Sequence, residues 1–138
     1  HQGMVRTLEE TWRVLRKSGI LIDLRPLHSN VTIHLVRKTD TILLTRHTDD
    51  WRHTNDEAAN AAIHHIIGDG RFVFEKSAAF EYVKFYDTGQ ELLDYYAARH
   101  PPVEQTEDVI QQIKRADGNP DITLRVGNPM VLNTYRRT

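Results

Sequence analysis

The 138-residue chain contains no cysteine. Disulfides, thiolate zinc sites, iron–sulfur clusters and cysteine nucleophiles are therefore excluded. The composition fits a reducing compartment, and a cytoplasmic location is expected. No apolar run approaches the roughly 20 residues that a membrane-spanning helix requires. The polar first residues lead directly into a charged amphipathic segment, not into a secretory signal. Charge of one sign is also lacking: 18 Lys and Arg stand against 19 Asp and Glu, for a formal net charge of -1. No global basic field is present to hold a nucleic-acid backbone, so neither nucleic acid nor a membrane is expected as a partner. Neither a phosphate loop nor a Ser-centred nucleophile elbow occurs. What is present is 39% hydrophobic residues, enough at this length for one compact domain with a real core. His1-Gln2-Gly3 ahead of Met4 reads as a tag remnant, which leaves 4–138 as a single domain.

Val5, Leu8, Trp12 and Leu15 follow the spacing of one helical face, with Thr7 and Glu10 in a capping-box pattern. Ser18-Gly19 stops this helix, and Ile20-Leu21-Ile22 predicts a short strand buried on both faces, as in parallel sheets. Val31, Ile33 and Leu35 share one parity before Lys38-Thr39-Asp40 and a second β-branched run, so 31–47 reads as an antiparallel hairpin with one buried face. Arg46 to His53 reads as a polar loop. Thr54 and Glu57 then form a second capping pattern ahead of the stripe Ala59, Ala62, Ile63, Ile66 and Ile67. Phe72 to Tyr86 is strand-rich, with a bend expected at Ala78-Ala79. Thr88 and Glu91 cap a helix carrying Leu92, Leu93 and Tyr96, and Val109, Ile110 and Ile113 mark a shorter one. Ile122 to Tyr135 reads as a closing hairpin turned at Gly127-Asn128-Pro129.

The stretch from Leu8 to Pro26, with Arg13-Val14-Leu15-Arg16-Lys17-Ser18-Gly19 leading into Ile20-Leu21-Ile22-Asp23, resembles class I S-adenosylmethionine-dependent methyltransferases. In that family a helix ending in such a motif leads into the fifth strand of the sheet. Lys17-Ser18 stands where Pro-Gly is usual. Phe85-Tyr86-Asp87-Thr88 before Glu91-Leu92-Leu93, and the closing hairpin, are similar to later parts of the same fold. The resemblance implies an α/β fold with a mixed sheet, like the distal half of a Rossmann-like methyltransferase, with the 31–47 hairpin added. The Gly-rich turn after the first strand and the acidic residue that holds the ribose lie in the part not matched. Gly68 and Gly70 follow a helix and precede a strand, the reverse of the order a nucleoside-binding turn needs.

The resemblance therefore implies that the isolated chain binds no cofactor, and would meet S-adenosylmethionine only if completed by another segment. A structural or interaction role follows, as a homodimer or with a methyltransferase-type partner chain. The alternatives are part of an active S-adenosylmethionine-dependent methyltransferase, the one enzymatic role implied, and a small-ligand binder. Catalytic residues are not assigned. Asp23, Arg25 and His28 follow the predicted strand, at the place where open α/β sheets bind ligands. Asp23 can accept a donor and Arg25 can fork onto a carboxylate or phosphate; the competing reading is a pair that satisfies a strand end. His47, Asp49, Asp50 and His53 offer imidazole and carboxylate ligands to a metal, or form a solvated loop that caps the next helix. Trp12 reads as core, and Trp51 as a residue that packs over the core edge or stacks on a partner.

Overall fold

In a computed structural model, residues 2–27, 30–48, 50–99 and 104–138 are described. Among them the order is α1 (Gln2–Val14), β1 (Ile20–Pro26), β2 (Val31–Arg37), β3 (Thr41–His47), α2 (Asp50–Gly68), β4 (Phe72–Tyr86), α3 (Gly89–Ala97), α4 (Glu107–Lys114) and β5 (Ile122–Arg137). The strands form one five-stranded sheet in the order β1-β5-β2-β3, with β4 also on β5. The chain divides into two compact units: residues 1–28, 50–80 and 130–138 in the first, and 29–49 and 81–129 in the second.

In the first unit β1 pairs antiparallel with the end of β5, from Ile20 opposite Arg136 to Pro26 opposite Met130. Leu21 and Tyr135, opposite each other, join Ile63, Ile66 and Phe72 in a small core, against which Leu8, Trp12 and Leu15 of α1 pack. Helix α1 ends at Val14, and Ser18 takes a left-handed backbone (φ 63°) in the turn that follows. Gly19 then donates its N–H to the Arg16 carbonyl at 2.9 Å. A Cβ at Gly19 would lie 2.8 Å from that same oxygen, so the tight exit requires glycine.

The second unit has the larger core. Val31 and Ile33 of β2, Leu124 and Val126 of β5, and Tyr86, Leu92, Tyr96, Val109 and Ile113 pack together. The hairpin of β2 and β3 is present with the expected face buried, Ile33 being 0% exposed. Thr88 caps α3 by accepting the Glu91 N–H at 3.2 Å, and Thr106 caps α4 from Val109 at 3.4 Å. The Asp117 carboxylate accepts the N–H of Gly89, where helix α3 starts. A side chain at Gly89 would overlap the Ile113 carbonyl.

Several expectations are corrected. The paired strands form an antiparallel sheet, not a mixed one, because the neighbour of β1 is the closing strand. The closing hairpin is instead the single strand β5. Gly127 does not turn the chain; a Cβ there would lie 2.6 Å from Glu81 Oε2 and 2.8 Å from Thr32 Oγ1, so it is glycine for close approach. Asn128 and Pro129 fall between the residues paired with β2 and those paired with β1. Strand β1 is not buried on both faces: Ile22 is 60% and Leu24 53% exposed. Thr7 and Thr54 lie inside helices, not at their caps. Thr7 donates its hydroxyl to the Gly3 carbonyl at 3.0 Å, a helix-interior bond. Ala78-Ala79, where a bend is expected, lie within the continuous strand β4.

Replacing Ile33 by Asp is expected to place an unpaired carboxylate in the larger core and to cost about 3 kcal/mol or more. Urea melting of the variant checks this; an unchanged midpoint would mean that the hairpin does not pack as described.

Candidate functional site

Asp23 and Arg25 lie inside β1, not beyond its end. Residues at odd positions of β1 face the helices of the first unit, since Leu21 packs with α1 and Arg25 reaches α2. There Arg25 Nε sits 2.8 Å from Asp23 Oδ1, and both side chains are largely buried. Arg25 Nη2 donates to Asn60 Oδ1 at 2.9 Å and Nη1 to the Asp56 carbonyl at 3.4 Å. Asn133 Nδ2 donates to Asp23 Oδ2 at 3.3 Å. The guanidinium therefore ties β1 to α2, while the carboxylate is satisfied by Arg25 and β5. This is the arrangement of a structural pair whose donors and acceptors are met within the fold.

Beside it lies an open, mostly apolar cavity of about 540 Å³. Met4 and Leu8 of α1, Ala59, Ala62 and Ile63 of α2, and the consecutive residues Leu21, Ile22 and Asp23 of β1 line it. Side chains of both parities from one strand meet in it, so the cavity runs along the edge of β1. Among its described lining residues Asp23 alone is charged.

The backbone of that edge follows from the ladder. The Arg137 N–H donates to the Gly19 carbonyl at 2.8 Å, in line with the β1–β5 register. Bonded and non-bonded pairs alternate in an antiparallel ladder. Leu21, Asp23 and Arg25 thus bond to β5, while Ile20, Ile22 and Leu24 turn their N–H and C=O groups to the other edge. Among the described residues no strand pairs there. Pro26 falls in the same outward set and has no N–H to offer. Ile20, Ile22 and Leu24 are also the exposed side chains of β1.

His28 and Asp49 lie outside the described residues, as does the side chain of Trp51. His47 is at the end of β3 in the second unit, edge-on to the Tyr96 ring at 5.6 Å between centroids. His53 is on α2 in the first unit, 3.7 Å from Glu57. The expected loop from Arg46 to His53 is mostly strand and helix. Among the described residues no group of three His, Cys, Asp or Glu is placed to hold a metal ion. Trp12 packs against the first unit's core as expected, with the Arg137 guanidinium 4.6 Å from its ring centroid. Sequence reasoning missed Asn60 and Asn133, whose roles come from chain segments far from β1.

Burial pushes the Tyr135 hydroxyl above its ordinary value; the charge of Asp23 adds to the rise and Arg25 opposes it. In the unfolded chain tyrosine loses its proton near pH 10. Above that pH the folded state holds the proton more tightly, so folding stability falls as pH rises. Tyr135→Phe is expected to make alkaline unfolding less steep between pH 9 and 11. The same slope in the variant would place the loss elsewhere. Arg25→Met is expected to leave Asp23 without its ion pair and to cost about 1–3 kcal/mol. Adding Asp23→Asn should recover part of that loss in a urea-melting comparison.

Comparison of the chain with protein-family models, with curated proteins and with solved structures finds no match in any of the three.

Proposed function

We propose that this chain is a methyltransferase-like domain with a structural or interaction role, acting through the open edge of β1, and that alone it does not bind S-adenosylmethionine. The observation that carries the reading is that among the described residues no strand pairs with the outer edge of β1, whose side chains Ile20, Ile22 and Leu24 are exposed. An edge of this kind is a template for another strand. The methyltransferase-like part is supported by helix α1 leading into β1, the order that the resemblance implies. Against the cofactor stands the position of the close glycines, Gly68 and Gly70, at the end of α2 and ahead of β4. Backbone donors at the start of a helix, which would cradle a nucleoside's anionic groups, do not follow those glycines.

A second reading, binding of a small apolar ligand, is favoured by the cavity beside Asp23. Its mostly apolar walls and single carboxylate suit a ligand with one donor group. The Asp23 carboxylate already accepts from Arg25 and Asn133, which ranks this reading below the first.

Isothermal titration with S-adenosylmethionine is the test. No saturable heat is expected. A dissociation constant of about 10 μM or tighter, about −7 kcal/mol, would defeat the interaction reading in favour of an enzyme.

A further inference from the structure

We draw no further inference here: the strongest candidate, the open apolar cavity of about 540 Å³ lined by α1, α2 and β1, belongs to the site already described, its one carboxylate is met by Arg25 and Asn133, and nothing in the structure shows what covers it.

Discussion

Strand β5 supplies backbone partners to β1, β2 and β4, and among the described residues no other strand of the sheet pairs with three. A buried N–H or C=O without a partner costs about as much as a lost hydrogen bond, so each of those strands is held in place by what β5 offers it. Its side chains do the second half of the task. In the second unit Leu124 and Val126 of β5 meet Val31 and Ile33 of β2 in the larger core. In the first unit Tyr135 meets Leu21, Ile66 and Phe72. This dual use explains why Gly127 must lack a Cβ: the Glu81 carboxylate and the Thr32 hydroxyl occupy the space above it. It also explains why Arg125 and Arg136 on β5 are ion-paired with Glu81 and Glu75 on β4.

Among the described residues the outer edges of β3 and β4 carry no further strand, and neither does that of β1. Its inner groups bond to β5 and its odd side chains are consumed by the fold: Leu21 in the core, Asp23 and Arg25 in the link to α2. Among the described residues no strand lies beside its even positions Ile20, Ile22 and Leu24, and their side chains are exposed. The strand is thus divided into an internally committed half and an exposed apolar half. The charged residues, which a sequence reader takes as the functional ones, are spent on holding the domain together.

Much of the fold was legible because its signals are local. The alternation of Val31, Ile33 and Leu35 marks a hairpin with one buried face. Thr88 caps its helix through a contact three residues away. The failures share a different cause. A Thr three residues before a Glu fits a helix interior as well as a cap, and Thr7 and Thr54 are interior. Gly127-Asn128-Pro129 has the chemistry of a turn, yet a close approach from another strand uses the glycine and keeps the chain extended. The apolar run at Ile20 looked doubly buried because hydrophobicity marks a capacity for burial, not its fulfilment. At the candidate site, Asp23 and Arg25 could be picked from the sequence, but Asn60 and Asn133, which satisfy them, could not.

The sequence by itself determined the combination of helices and strands, the helix stripes, the hairpin and the exclusion of thiol chemistry, because periodicity, capping and composition depend on neighbours a few residues apart. Tertiary structure alone decided which strand lies beside which. Strand pairing joins residues more than a hundred positions apart, such as Leu21 and Tyr135, and no local spacing encodes that choice. It turned an expected parallel, buried strand into an antiparallel edge, and so moved the interest of the molecule from the charges of β1 to its uncovered backbone.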